Sequence, residues 1–377
     1  MRKLLSGLGV AALAAVTLTA PAHAEGAVLH AGSATAVPGS YVVKLKDASV
    51  AAELTGQVAR FGGQVTRSYP SFGGFAVSLT AREARRLAAD PAVEYVEQDQ
   101  LVRAYTTQLN APFGLDRIDQ RALPVDGRYS YTSTGATTRA YLIDTGIRPT
   151  HTEIAGRTCA GYDAVDNDTV PQDDNGHGTA LASLIAGRTN GVAKQALVCG
   201  VRVLNGSGSG TTSGVIAGID WVARNHVKPA SANLSLGGAA STAVDDAVRR
   251  LIASGVTASV TAGGSNADVA NYSPARVAEA LTSGSSTRTD TRASFSNYGP
   301  LVDVYAPGVS ITVAWNTGDT ATNTLSGTSL STAYVTGVTL RYLQFNPAAT
   351  PAQVHAAVVS EATPLSWGRL LYWSPSR

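Results

Sequence analysis

Charge is what this chain has least of. Only 15% of its 377 residues are Asp, Glu, Lys or Arg, and the formal net charge is +2. No stretch is densely basic, so the electrostatic footprint of a nucleic-acid binder is missing. Methionine (1), cysteine (2) and phenylalanine (6) are also scarce. No group of Cys and His has the spacing of a zinc site. Beyond the N-terminus, no run is long and apolar enough to cross a membrane. What the chain does have is small residues, 38 of them glycine, and a hydrophobic share of 44%, enough for a tightly packed α/β core with many turns. Its length exceeds one average domain and predicts two folded units plus a processed segment.

Residues 1–24 have the layout of a secretory signal. Arg2 and Lys3 make a charged start, Leu4 to Leu18 is apolar, and Ala22-His23-Ala24 is an A-x-A cleavage site. The alternative is a membrane anchor, but the apolar run is shorter than the ~20 residues a span needs. The chain is expected to be secreted and extracellular, free of the membrane once the signal is removed.

Residues 25–105 read as a small separate unit. Strands are predicted at Tyr41–Lys46, Gln64–Tyr69, Phe75–Leu79 and Val93–Gln98, with helices at Ala48–Arg60 and Ala81–Ala89. That order, β-α-β-β-α-β, is ferredoxin-like α+β. The strip from Leu101 to Thr107 lacks pattern and reads as an exposed, cleavable joint.

Residues 106–377 read as the main domain. Apolar strand-like runs (Ala140–Ile143, Ala196–Leu204, Ala232–Leu236, Val256–Thr261, Val302–Tyr305) alternate with helix-like ones (Thr179–Ala186, Thr212–Asn225, Ala243–Ser254, Ser329–Gln344). The alternation predicts an α/β fold, a doubly wound, mostly parallel sheet with helices on both faces. Strands this uniformly apolar are buried on both sides. Thr350-Pro351 then opens a last helix over Ala352–Ser360.

Three polar contexts carry the chemistry. Ser329 follows a Gly-Thr turn at a predicted helix N-terminus, where free N–H groups can face an oxyanion. A serine there is a candidate nucleophile if a base can take its proton. His177, in Asn175-Gly-His-Gly-Thr179, titrates near neutrality and suits that step. Asp144, closing the strand Arg139-Ala-Tyr-Leu-Ile-Asp144, would hold the imidazole tautomer. Each piece alone is weak: a strand-end Asp commonly caps a turn and a lone His is commonly structural. Ser329 lies in Gly-x-Ser-x-Ser rather than the Gly-x-Ser-x-Gly elbow of α/β-hydrolases.

Taken together, Leu142-Ile-Asp-Thr-Gly146, Asn175-Gly-His-Gly-Thr179, Asn233-Leu-Ser-Leu-Gly-Gly238, Phe295-Ser-Asn-Tyr-Gly299 and Ser326-Gly-Thr-Ser329 resemble the subtilisin-like serine proteases of the proteinase K and aqualysin type. The likeness spans nearly all of residues 40–377. It implies a propeptide at 25–105 that chaperones folding and inhibits the enzyme, a subtilase domain at 106–377, and a broadly specific endopeptidase working as a monomer on peptide and protein substrates. Asp144, His177 and Ser329 would be the triad. Ser235, Leu236, Gly237, Ala262 and Gly263 would flank the primary specificity pocket, and Gly208, Ser209 and Gly210 would pair with an extended peptide.

The chain departs from that family at three places. Gly264 stands where the family has the oxyanion-hole Asn, leaving the Ser329 backbone N–H as the remaining donor. In subtilisin, losing that Asn lowers turnover about 100- to 1000-fold, roughly 3–4 kcal/mol. Asn266, two residues on, is a candidate substitute. Ala180 replaces a second His and Ser183 a usual Gly in the helix after His177; Ala333-Tyr334 replaces a Pro-His pair after the nucleophile. A weakened protease is one reading, and a catalytically impaired homologue acting as a binding or inhibitory protein is the other.

In an exported chain Cys159 and Cys199 can form a bridge. The resemblance puts them near neighbouring strands, and closing that loop stabilises by about 4 kcal/mol in the chain-entropy model. Two buried free thiols are the alternative. No cofactor is expected for catalysis. A structural Ca2+ is implied, held by the Asp303 carboxylate with carbonyls of Ala278 and Ala280.

Overall fold

The computed structural model describes residues 24–33, 35–102 and 104–375. The secretory-signal reading therefore falls, but for Ala24, outside the described residues. The chain divides into two compact units after Val102.

The first unit runs β1 (Val28–Leu29), β2 (Ala36–Leu45), α1 (Ala51–Arg60), β3 (Gln64–Tyr69), β4 (Gly74–Ser78), α2 (Ala81–Ala88) and β5 (Val93–Gln100). Its sheet order is β1-β5-β2-β4-β3, the ferredoxin-like arrangement with one short parallel strand added at an edge. Alternate residues Tyr41, Val43 and Leu45 of β2 pack with Leu54 and Val58 of α1 and Leu87 of α2. This is the two-residue strand period meeting the helical one on a single core face. Thr80 caps α2 by accepting the Glu83 N–H. Leu101, Val102 and Tyr105, flanking the division, are exposed and outside regular structure.

The second unit opens with the hairpin β6 (Thr106–Leu109) and β7 (Arg128–Tyr131), enclosing α3 (Phe113–Ile118). It continues through β8 (Arg139–Asp144), β9 (Tyr162–Asp163), α4 (His177–Ala186), β10 (Leu197–Arg202), α5 (Thr212–Asn225), β11 (Ala230–Leu234), β12 (Gly238–Ala239), α6 (Thr242–Ala253), β13 (Thr257–Thr261), β14 (Tyr272–Ser273), β15 (Leu281–Ser286) and β16 (Val304–Pro307). The hairpin β17 (Ile311–Ala314) and β18 (Thr322–Leu325), α7 (Thr328–Phe345), α8 (Pro351–Glu361) and the hairpin β19 (Thr363–Leu365) and β20 (Gly368–Leu370) complete it. Nine strands form one sheet in the order β19-β20-β16-β15-β13-β11-β8-β10-β9, parallel except for the terminal β19/β20 pair.

Neighbouring residues of one strand face opposite layers. Leu142 packs with Leu181 and Leu184 of α4 and Val335 and Val338 of α7. Ile143 packs with Ile219 and Val222 of α5 and Val248 and Leu251 of α6. Each such side chain, fully buried, contributes about 1.5–3 kcal/mol relative to exposure. This places helices on both faces, as the alternation predicts. β8 is where the strand order turns, with β10 on one side and β11 on the other. In open α/β sheets the site lies outside the carboxyl ends of strands at such a point.

The strand Leu281–Ser286 is one that apolar periodicity does not predict. All six residues are buried, yet five of them are Thr, Ser or Gly. Two of the hydroxyls are satisfied sideways: Ser285 Oγ lies 2.9 Å from Ser331 Oγ of α7, and Thr282 Oγ1 donates to the Ala275 carbonyl; Ser283 Oγ and Ser286 Oγ are buried without a hydrogen bond among the described residues. Cys159 and Cys199 are joined by a disulfide with Cα atoms 4.7 Å apart, beside the backbone bond from Cys159 N–H to the Val198 carbonyl.

Candidate active site

Asp144 closes β8 at the turn of the sheet and is completely buried. One carboxylate oxygen, Oδ1, accepts the Thr145 N–H at 2.8 Å and lies 2.7 Å from His177 Nδ1. His177 is the first residue of α4, and its ring is partly exposed. Two glycines allow it to sit there. Gly176 has φ +115°, and a Cβ there would press on the Trp315 ring. A Cβ at Gly178 would overlap the Gly146 carbonyl. The loop is fastened further by Asn175, whose Oδ1 accepts the His177 N–H and whose Nδ2 donates to the Gly206 carbonyl. Burial is the largest influence on the imidazole and pulls its pKa down. The Asp144 charge and hydrogen bond, with the Asp173 charge, push it up by more, so His177 titrates above its usual 6.5.

Ser329 is the second residue of α7, half-buried, with Gly327 as the helix cap. It exchanges hydrogen bonds with Ser235, just past β11: Ser329 Oγ donates to the Ser235 carbonyl at 3.3 Å, and Ser235 Oγ to the Ser329 carbonyl at 3.2 Å. Among the described residues His177 Nε2 has no hydrogen bond. The hydroxyl is turned to Ser235 rather than to the imidazole.

A cavity of about 610 Å³ is lined by His177 together with Ser235, Leu236, Gly237, Gly208, Ser209 and Gly210. Leu204, Val215 and Val244 give it an apolar floor. The expected peptide-pairing segment is folded as a turn at its start, with Gly208 N–H bonded to the Asn205 carbonyl and Asn205 N–H to that of Ser209. Ala262 and Gly263 do not line this cavity. They lie in the loop after β13, which Asn297 staples: its Nδ2 donates to the Ala262 carbonyl and its Oδ1 accepts the N–H groups of Ser265 and Ala267.

Gly264 belongs to the same loop. A Cβ there would meet only Phe295, at 4.0 Å. The position is open to a side chain. Asn266 is committed elsewhere: its Oδ1 accepts from Arg292 Nη1 at 3.0 Å and its φ is +49°. Ala180 and Ala333 are fully buried core residues. Ser183 couples α4 to β17, donating to the Ala180 carbonyl and accepting the Ala314 N–H. Tyr334 buries its hydroxyl against Gly114 without a hydrogen-bond partner among the described residues, and burial pushes its pKa up.

At Asp303, Oδ2 accepts the Thr282 N–H at 2.8 Å, while Oδ1 lies 3.2 Å from His355 Nε2. That contact lacks hydrogen-bond geometry and leaves the imidazole nitrogen buried without a hydrogen bond among the described residues. Ala278 is exposed and Ala280 buried. A separate group of carboxylates, not anticipated from sequence, gathers at Asp116, Asp119 and Asp126. Burial pushes Asp119 up to about 7, and the charges of Asp116 and Asp126 add to the rise.

Comparison with known proteins bears on the fold and the family. The model of the subtilase family matches residues 141–371, and that of peptidase inhibitor I9 matches residues 40–105. The chain is 49% identical over 382 residues to the extracellular serine proteinase of Thermus sp. (strain Rt41A), covering 95% of this chain and 93% of that one. It is 51% identical over 299 residues to alkaline serine exoprotease A of Vibrio alginolyticus, covering 78% of this chain and 56% of the relative. A crystal structure of a cold adapted subtilisin-like serine proteinase matches with TM-score 0.68 and 51% identity, over 70% of this chain and 98% of that one. The chain belongs to the subtilase family of serine endopeptidases, and a peptidase-inhibitor domain precedes its protease domain.

Proposed function

We propose that this chain is a secreted endopeptidase made as a signal–propeptide–protease precursor, working through Ser329, His177 and Asp144. The observation that carries the reading is the 2.7 Å contact between His177 Nδ1 and the buried Asp144 carboxylate, beside a cavity lined by His177 and by Ser235, the hydrogen-bond partner of Ser329. Asp144 holds the proton on Nδ1 and leaves Nε2 as the base. The mechanism requires the Ser329 hydroxyl to leave the Ser235 carbonyl and donate to Nε2; such bonds commonly form or tighten only when substrate is bound. Ser329 then attacks the scissile carbonyl, its proton passes to Nε2, and the protonated imidazole returns it to the leaving amine. The resulting acyl-enzyme is hydrolysed by water through the same groups. The Ser329 N–H, at the positive end of α7, is the oxyanion donor that remains with Gly264 in the Asn position. The segment that carries the exposed residues Leu101, Val102 and Tyr105 is the joint at which the inhibitory domain would be released.

A second reading keeps the fold and loses most of the chemistry: a binding or inhibitory protein. Gly264 and the Ser329 hydroxyl turned to Ser235 favour it. Labelling with a serine-directed fluorophosphonate, with mass spectrometry for cleavage near Tyr105, separates the two. The endopeptidase reading expects an adduct on Ser329 and a processed chain; intact precursor without label supports the second.

Calcium is proposed as a structural ion only. Asp303 Oδ1 with the carbonyls of Ala278 and Ala280 is an all-oxygen donor set that fits a hard cation. Its role would be to tie the loop before β15 to the start of β16.

A further inference from the structure

One buried carboxylate that takes no part in the steps above collects hydrogen bonds from both sides of the His177–Asp144 contact. Asp173 is 3% exposed. Its Oδ1 accepts from Thr145 Oγ1 at 2.8 Å, Asn175 N–H at 3.0 Å and Gly176 N–H at 2.8 Å. Its Oδ2 accepts from the Thr179 N–H at 2.9 Å and the Thr179 hydroxyl at 2.5 Å. Thr145 is the residue after Asp144 and donates its own N–H to Asp144 Oδ1, while its hydroxyl oxygen accepts the Gly178 N–H at 2.9 Å. Thr179 Oγ1 in turn accepts the Arg148 N–H at 3.0 Å. The Asp173 carbonyl takes Asn316 Nδ2 at 3.0 Å.

These bonds close two small loops through one side chain. One runs from the end of β8 through Thr145 to Asp173. The other runs from the first turn of α4 through Thr179 to Asp173. His177 lies between them. We propose that Asp173 is a positioning residue for the reaction, its carboxylate fixing the end of β8 and the first turn of α4 so that His177 meets Asp144 in register. This rests on His177 acting as the base.

The physical argument is one of donor count. Five donors converge on two oxygens, which an ionised carboxylate alone can satisfy, having acceptor sites and no proton of its own. An Asn of the same size would turn an NH2 group toward two or three of those donors. Leaving buried donors unmet is expensive, so the loop would shift rather than keep its geometry. Shifts well under 1 Å matter for proton transfer between aligned groups. The carboxylate also acts on His177 through its charge. The charged groups that act on the imidazole are Asp144 on β8 and Asp173 on the loop. Arg202, beside Asp144 in the sheet register, is shared among Asp163, Asp166 and Asp174 at 2.6–2.9 Å. Asp173 has no such counter-cation among its bonds and stands, after Asp144, among the causes that raise His177.

The test is Asp173→Asn in the full chain, followed by two readouts: the pH profile of kcat/KM, and the His177 imidazole titration by 15N NMR. The expected result is a kcat lower by roughly 10- to 100-fold, a KM within about threefold, and an imidazole pKa shifted down relative to the unaltered chain. An unmoved pKa with kcat falling only in proportion to the folded fraction would make Asp173 a structural residue and overturn the proposal. Thr145→Val guards against a variant that fails to fold. It cuts the link to β8 and leaves both carboxylates in place, so kcat should drop while the imidazole pKa stays; unaltered kcat overturns the proposal. Absence of fluorophosphonate labelling in the unaltered chain would sink the endopeptidase reading instead, and the NMR titration would still decide the role of Asp173.

Discussion

The two parts of the proposed active site are built to different standards. On the acid–base side, a buried carboxylate, an imidazole at 2.7 Å and a loop pinned through Asp173, Asn175 and two glycines leave little freedom. On the oxyanion side as proposed, Gly264 would offer no side-chain amide, and Asn266 Oδ1 accepts from Arg292. Yet the oxyanion loop is as well anchored as the other, because Asn297 bonds it at three places. The difference teaches that a scaffold can keep the geometry of a site while one functional group is removed from it. If Gly264 holds the oxyanion position, as proposed, the deficit is chemical rather than architectural and should be reversible at a single position.

The largest effect should come from breaking the intact half. His177→Ala should lower turnover by roughly a millionfold, the scale on which subtilisin responds to loss of its His or Ser. A drop of only tenfold, measured on a peptide substrate, would mean the imidazole is not the base. Next comes repair of the stripped half. Gly264→Asn should raise kcat about 100- to 1000-fold with little change in KM, because the amide acts on charge that develops in the transition state. The open space around Gly264 predicts no loss of stability, which thermal unfolding would check. An unchanged kcat would show that the missing donor is not limiting.

A smaller effect separates the halves by pH. The active form of His177 is neutral, and its folded pKa is raised. Activity should therefore be full at alkaline pH and fall as pH drops through a midpoint above 6.5. Gly264→Asn should raise the plateau and leave that midpoint in place. A midpoint that moves with Gly264→Asn would mean the two halves are coupled. The smallest effect on the cleft should come from chelation. EGTA should lower the melting temperature through the Asp303 site while leaving the pH midpoint unaltered. A melting temperature indifferent to EGTA would leave Asp303 paired with Thr282 and His355 alone.

Much of this was legible in the residues. Alternating apolar runs marked the parallel strands and their helices, since burial on both faces leaves no polar period. The α5 limits, Thr212–Asn225, coincide with the helix-like run read from the sequence, and Thr211 caps the helix. What escaped were elements whose interior faces are hydroxyls. β15 is buried along its length, but it bonds α7 through Ser285 and Ser331 instead of packing aliphatic carbon. The same seam continues with Thr336 on Asn233, Thr339 on Ser231 and Thr328 on Thr261. Hydropathy reads such residues as surface. The short β1 escaped because two residues carry no period. In the site, the contexts of Asp144, His177 and Ser329 stood out as a set. Asp173 did not, since its importance lies in five bonds that only folding assembles, although an Asp four residues before His177 and ahead of Gly176 was the available signal.

The most direct test is the fluorophosphonate adduct itself, read by mass spectrometry in the unaltered chain and in His177→Ala. Modification of Ser329 in the first and its near-complete loss in the second is the predicted result. Reaction elsewhere, no reaction at all, or equal reaction of Ser329 in both chains would contradict an Asp144–His177–Ser329 mechanism.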